Sequence, residues 1–206
     1  MLRFTVEATE TKLVSLELVK AELDISGSDS DAALTARIEE VSAEISGECN
    51  RENFGAATAE ERLSVRCGSK WPLWLRHWPV TSIVGVSEDG TALAAEDYLL
   101  GEKRQLLRRS AETGHLIPWR GSRIVVTYEG GYDLPDGCPA DLRRAALTLI
   151  RGAWAGRKRD PAMRTYSVPG VIDMGFALPG AMGGLQGAYP ADVAAALNRY
   201  RNVNAG

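Results

Sequence analysis

The chain has little of what enzymes and metal centres are made from. Only two histidines and three cysteines occur among its 206 residues. Cys49, Cys67 and Cys138 are far apart and odd in number, which points away from a disulfide framework or a CxxC metal site and fits a reducing compartment. His77 lies in Leu75-Arg76-His77-Trp78-Pro79 and His115 in Gly114-His115-Leu116. Each reads as support for a turn or strand end rather than as a catalytic base. No Walker A loop, G-x-S-x-G elbow, H-E-x-x-H pair or dinucleotide fingerprint is present. The sequence therefore nominates no catalytic residue, no cofactor and no metal site. No 18-residue apolar run exists, and Met1 to Phe4 leads into acidic, Thr-rich sequence rather than an apolar signal core. A soluble, unsecreted protein with no membrane partner is expected.

An excess of positive charge is also missing. A net charge of -3 argues against a protein whose main grip is on a nucleic-acid backbone, because that grip depends on dense Lys and Arg. The balance hides an asymmetry. Residues 1–52 carry 12 Asp/Glu against 5 Lys/Arg, whereas residues 101–164 carry 13 Lys/Arg against 7 Asp/Glu. Oppositely charged surfaces on one chain suit head-to-tail contact between copies, the geometry that closes into rings; two solvated surfaces of different sign are the other reading.

What is present is an ample hydrophobic fraction, 45%, arranged with clear periods. Ser15 caps a short helix carrying Leu16, Leu18, Val19 and Leu23, and Ser26-Gly27-Ser28 stops it. Asp29, Ser30 and Asp31 open a second helix with Leu34, Ile38, Val41 and Ile45 on one stripe, running to about Asn50. The period then changes. Leu63, Val65 and Cys67 alternate with polar residues, Val80 to Val86 is β-rich and closed by Asp89-Gly90, and Tyr98–Leu100, Gln105–Arg108 and Arg123–Tyr128 continue the pattern. From Pro139, a third helix presents Leu142, Ala145, Ala146, Leu149, Ile150, Ala153 and Trp154. Residues 167–190 interleave glycine and proline with apolar side chains, as an arm ordered by docking, and a last helix from Pro190 carries Val193, Leu197 and Tyr200.

These readings predict an α+β fold: a helical body of three core helices with an inserted antiparallel β unit, a Gly-rich arm and a short C-terminal helix. The expected divisions are an N-terminal helical pair in 1–60, the β insertion in 61–130, the third core helix in 131–166, and the arm with its helix in 167–206.

Candidate working surfaces follow from charge and apolar exposure. Glu40, Glu44 and Glu48 form an acidic column at i, i+4 and i+8, a spacing at which like charges destabilise an isolated helix. It reads as a solvated face, as a wall that lets DNA slide past, or as a match for arginines such as Arg143, Arg144 and Arg151 on a neighbour. Phe176 and Leu178 in the arm, with Val193, Leu197, Tyr200 and Arg201 in the last helix, are the candidates for docking on a neighbouring subunit. Trp71, Trp74 and Trp78, beside Arg76 and Pro72, read as core packing or a subunit contact, or as a stacking platform for single strands. The alternative function is a nucleic-acid-associated protein that uses Lys103, Arg104, Arg108 and Arg109.

Three stretches together resemble the head–tail connector, or adaptor, proteins of tailed phages in their long form. Val14-Ser15-Leu16-Glu17-Leu18-Val19-Lys20-Ala21-Glu22-Leu23, followed by Asp29 to Leu34, is similar to the family's opening helices. Ile124-Val125-Val126-Thr127-Tyr128-Glu129-Gly130-Gly131-Tyr132, then Cys138-Pro139-Ala140-Asp141-Leu142-Arg143-Arg144-Ala145 and on to Trp154, is the most specific part. Tyr189-Pro190-Ala191-Asp192-Val193 to Arg201 resembles the short helix that ends many members. The resemblance implies a non-enzymatic virion protein at the head–tail junction, assembled in the bacterial host cytoplasm. It implies a ring of about twelve copies beneath the portal protein, a stopper or tail-completion protein on the other face, and double-stranded DNA passing through the lumen. Prophages and gene-transfer particles would use the same part.

Overall fold

The computed structural model describes residues 1–65, 72–102, 104–157, 165–168, 172–175 and 189–202. They form an α+β fold that divides into two compact units, residues 1–12 with 51–138, and residues 13–50 with 139–206.

The first unit is built on two antiparallel sheets. Strands β1 (Leu2–Val6), β2 (Ala57–Ser64), β4 (Val80–Glu88), β5 (Thr91–Ala92) and β9 (Arg123–Gly130) form one, in the order β1-β2-β9-β4-β5. Strands β3 (Leu73–Trp74), β6 (Tyr98–Leu100) and β7 (Gln105–Arg109) form the other in the order β3-β7-β6, with β8 (Leu116–Ile117) also on β7. The expected alternation is present. Ile124, Val126 and Tyr128 point inward on β9, and they join Ala59, Val80, Val86, Leu73, Leu106 and Trp119 in one core that both sheets share. The Asp89-Gly90 turn has positive φ at both residues, 48° and 89°, the backbone that a two-residue hairpin of this twist requires. Beyond the expected unit, the sheet takes in residues 57–60 and the N-terminal strand β1, which pairs with β2 from Leu2↔Glu61 to Val6↔Thr58.

The second unit is helical: α1 (Leu16–Glu22), α2 (Asp31–Glu48), α3 (Ala140–Gly156) and α4 (Ala191–Tyr200). Ser15 caps α1 as expected, its Oγ accepting from the Leu18 N–H at 3.2 Å. The helix ends before the Ser-Gly-Ser run. Asp24 enters the left-handed region at φ 53°, and the N–H groups of Asp24 and Ile25 close back on the carbonyls of Ala21 and Lys20. Asn50, φ 52°, ends α2 in the same region. The predicted stripe Leu34, Ile38, Val41 and Ile45 is buried, as are Leu142, Ala145, Ala146 and Ile150 of α3. Pro139 is the N-cap of α3 rather than its first helical residue. Part of the expected irregular arm is regular: β10 (Thr165–Val168) and β11 (Ile172–Gly175) pair as an antiparallel hairpin. Phe176 and Leu178 lie outside the described residues.

One buried polar group ties the first unit together. Alternation along β2 puts Glu61 on the inward face between Ala59 and Leu63, and its side chain is fully buried. Its Oε2 accepts from the Tyr128 hydroxyl and from the Arg76 N–H, each at 2.9 Å. The Tyr128 oxygen in turn accepts from the His77 N–H at 3.1 Å. His77 Nε2 lies 3.1 Å from the Gly55 carbonyl and 3.0 Å from the Gly130 carbonyl. Both neighbours are acceptors, so Nε2 carries the proton and shares it between them. Phe4 meets the imidazole edge-on at 4.9 Å.

The Gly130-Gly131 pair is explained by the same close approach. A Cβ on Gly131 would sit 2.1 Å from the Gly55 carbonyl oxygen and 2.9 Å from His77 Nε2, and its φ is +96°. Gly131→Ala therefore combines a backbone collision with left-handed strain and is expected to destabilise the protein by about 3 kcal/mol or more, read as a lower midpoint in urea unfolding.

Burial, aided by the nearby Arg51 guanidinium, pushes the His77 pKa down to about 4. Below its ordinary value of 6.5 the unfolded chain takes a proton that the folded imidazole refuses, so stability falls as pH drops from about 6.5 toward about 4. Glu61 acts in the opposite sense. Burial raises its pKa, so its contribution is present at low pH and declines as pH rises above the usual carboxylate range. Comparing unfolding free energies at pH 7 and pH 5, the wild type is expected to lose up to about 2 kcal/mol more than His77→Gln over that interval.

Candidate assembly surfaces

The buried titratable groups Glu61, Tyr128 and His77 of the first unit are engaged with one another and with backbone. The His77 proton is held by two backbone carbonyls, and Glu61, Tyr128 and His77 are all buried. An open cleft of about 250 Å³ lies between the β1 end, β2 and β9, bordered by Glu7, Thr9, Thr58, Thr81 and Glu129. Glu129 there accepts from the Ser82 hydroxyl at 2.8 Å, and no histidine or cysteine borders the space.

The acidic column of α2 is exposed at Glu40 and Glu44 and half-buried at Glu48, and each carboxylate has its own partner within the helical unit. Arg37 pairs with Glu40 one turn away at 2.6 Å. The Tyr189 hydroxyl donates to Glu44 at 2.6 Å, and Arg201 lies 3.4 Å from Glu48. Partial burial and the Glu44 carboxylate push the Tyr189 pKa up, which keeps the phenol protonated as a donor. The like-charge spacing is thus compensated by three different neighbours.

Two of those partners flank α4. Val193 and Leu197, two of the expected docking residues, are 1% and 2% exposed, and with Ala196 they pack inside this chain's own helical unit. Each buried aliphatic side chain contributes roughly 1.5–3 kcal/mol. The Tyr200 hydroxyl and Arg199 both donate to Asp141 in the first turn of α3, at 2.6 and 3.0 Å. Beyond the helix, the Asn202 N–H donates to the Cys49 carbonyl at 2.8 Å, and the Asn50 side-chain amide donates to the Asn202 carbonyl at 3.1 Å. Tyr200 and Arg201 are therefore engaged in cis.

The arginines of α3 behave differently from one another. Arg151 makes an ion pair with Glu22 of α1. Arg143 is half-buried and Arg144 exposed, and neither has an ion-pair partner among the described residues. These two remain free to meet an acidic surface.

In the first unit, the basic middle segment is engaged internally. Arg108 is bonded to Glu88 and Asp97, each at 3.2 Å, with 15% of its side chain exposed. Arg109 donates to the Gly114 carbonyl, and Lys103 lies outside the described residues. Arg104 belongs to a ladder of alternating rings and cations. Arg51 lies 4.5 Å from the Phe54 ring and 4.4 Å from Trp78, and Arg104 lies 5.4 Å from Trp78 and 5.0 Å from Trp74. Trp78 is buried and Trp74 is the exposed end; Trp71 lies outside the described residues.

Trp74 opens onto an apolar face that the sequence did not reveal. It pairs with Gln105, Leu99 pairs with Leu107, and Leu116 pairs with Arg109, so strand alternation puts all of them on the side of the small sheet opposite Leu106. Trp74, Leu99 and Leu116 are 43%, 45% and 41% exposed, so the face is open. Three of its strands are only two or three residues long, too short for a sequence period to show. The signal that marks Glu61 was available: it is a charge at an inward parity of β2.

No protein-family model matches the chain, and no curated protein matches it. Solved structures do match, each at 18% identity over 100% of this chain and 97% of the other. They are a chain in the neck of an empty gene transfer agent particle computed with C6 symmetry, TM-score 0.58, and one in the virion of the native particle, TM-score 0.57. A third is a chain in the neck of the native particle computed with C12 symmetry, TM-score 0.53. The fold of this chain, taken end to end, is thus one that also occurs in the neck of a gene transfer agent particle.

Proposed function

We propose that the chain is a structural subunit of a phage-like particle, a head–tail connector whose copies form a ring beneath the portal. The observation that carries this reading is the end-to-end fold match to chains in necks resolved with six-fold and twelve-fold symmetry. The sequence resemblance to connector proteins supports it independently. In this reading about twelve copies surround a lumen through which double-stranded DNA passes, with the portal protein on one side and a stopper or tail-completion protein on the other.

A ring of identical copies needs two different surfaces that fit each other. The chain offers Arg143 and Arg144, unmatched on α3, and an acidic N-terminal quarter in which Glu17 and Glu39 are exposed. Charge of opposite sign at such a contact sets orientation and speeds encounter more than it adds affinity. The open face of Trp74, Leu99 and Leu116 supplies what charge does not, apolar area, with Trp74 the residue type most often found as an interface anchor.

Negative-stain imaging of the protein mixed with its own portal is expected to show an added ring. The double charge reversal Arg143→Glu with Arg144→Glu is expected to abolish or greatly weaken that addition while leaving the unfolding free energy of the free protein within about 0.5 kcal/mol of wild type. Unchanged ring addition by this variant would remove the α3 arginines from the contact, and absence of any ring with the wild type would remove the connector reading.

A further inference from the structure

We propose that copies join helix to helix: the small-residue strip on the outward face of α2, bordered by carboxylates, packs against the arginine-bordered strip on the outward face of α3 of the next copy. The proposal rests on the ring reading above and names the two surfaces that make each contact.

Both strips follow from helical spacing. On α2 the exposed residues Ala32, Ala36, Ala43 and Gly47 fall within an arc of about 60° at about 100° per residue. Glu39 borders this strip on one side, and Glu40 and Glu44 border it on the other. On α3, Thr148, Gly152 and Ala155 fall within a similar arc, and Arg144 and Arg151 run along its edge. Within one chain both strips are turned to solvent. The opposite faces of the same helices carry the buried residues Leu34, Ile38, Val41 and Ile45 of α2 and Leu142, Ala146 and Ile150 of α3, and the two helices pack on each other inside their own unit.

Two glycines point to a partner outside the chain. Gly130 and Gly131 are required by backbone that comes too near for a Cβ, and Gly27 and Gly90 have positive φ. Gly47 and Gly152 have neither reason. A Cβ at either would meet nothing within 4 Å, and neither has a positive φ. Glycine within a helix is destabilising relative to alanine, because the unfolded chain has more backbone freedom to lose. Nothing inside the chain offsets that loss, whereas a second helix laid along the strip does. Helices whose contact positions are small approach at the short end of the usual range, about 8 Å between axes.

Charge selects another copy as the occupant. On α2, Glu39 has no ion-pair partner among the described residues, and Glu44 accepts from the neutral Tyr189 hydroxyl. On α3, Arg144 likewise has no ion-pair partner among the described residues, and Arg151 meets Glu22 at the chain's own surface. An acid-bordered strip repels a second strip of its own kind, and so does an arginine-bordered one. Contact of α2 with α3 instead sets opposite charges side by side and lets the arginine stems lie over the alanines. It uses two different surfaces of one chain, so it is heterologous and passes from copy to copy until the ring closes.

The first arm of the test lengthens the glycines. Gly47→Gln and Gly152→Gln introduce a better helix former whose Cβ has open space, so each is expected to leave the urea midpoint of the free protein unchanged or raised. Each is expected to raise the concentration needed for half-maximal ring addition to portal by about tenfold or more, because the longer side chain holds the helices apart. The second arm uses full-length chains carrying Cys67→Ser, one with Ala43→Cys and one with Thr148→Cys; the remaining cysteines, Cys49 and Cys138, are buried. The two chains are mixed, assembled with portal and treated with a short bismaleimide, and peptide mass spectrometry is expected to find heterodimers joined between positions 43 and 148. Assembled rings without that product overturn the pairing of the strips and leave the connector reading intact, and ring addition unimpaired by both glutamine variants does the same. Products joining position 43 or 148 to the portal place the strips against the portal and overturn contact between copies. Absence of any ring with the wild type overturns the connector reading; the 43–148 heterodimer found in solution then upholds the contact alone, and its absence overturns that as well.

Discussion

The β unit depends on one shared proton. His77 Nε2–H lies between the carbonyls of Gly55 and Gly130, which come from the approach to β2 and the end of β9. A buried carbonyl without a donor is costly, and the His77 ring N–H serves both of these. Supplying the donor from the turn between β3 and β4 links three separated segments through one ring. The requirement propagates outward. Two glycines must follow Glu129 so that the backbone can come within reach, and the ring must stay neutral, which its burial ensures. Tyr128 and Glu61 then hold the backbone of the same turn, so the inward charge on β2 serves the node.

Much of this architecture was legible in the sequence because period and turn chemistry are local. The stripe Leu34, Ile38, Val41, Ile45, the Ser15 cap and the Asp89-Gly90 hairpin each need only neighbouring residues to be read, and each is found. What was not legible is long-range. Strand β1 is five residues at a sheet edge whose burial exists only through β2, more than fifty positions later. The apolar face of the small sheet is assembled from four short strands, and none of them carries the pattern alone. The acidic column was visible as a row of like charges, but its compensation was not, since Tyr189 lies 145 positions from Glu44 and Arg201 lies 153 from Glu48. The α4 stripe shows the same limit, since its residues were visible as apolar and the surface they cover was not.

That compensation changes which charges are available for assembly. A column of three carboxylates would by itself be the most conspicuous surface of the helical unit. Glu40 and Glu48 are matched by the cations Arg37 and Arg201, whereas Glu44 accepts from the neutral Tyr189 hydroxyl and keeps its charge, so one carboxylate of the column, not three, is left without a counter-charge. Arg108 and Arg151 are likewise matched by carboxylates. On α3, Arg143 and Arg144 have no ion-pair partner among the described residues, and with the open apolar sheet face they stand out in the sequence less strongly than the groups that are already paired. A charge in a sequence is a candidate contact only after its own chain has had first claim on it.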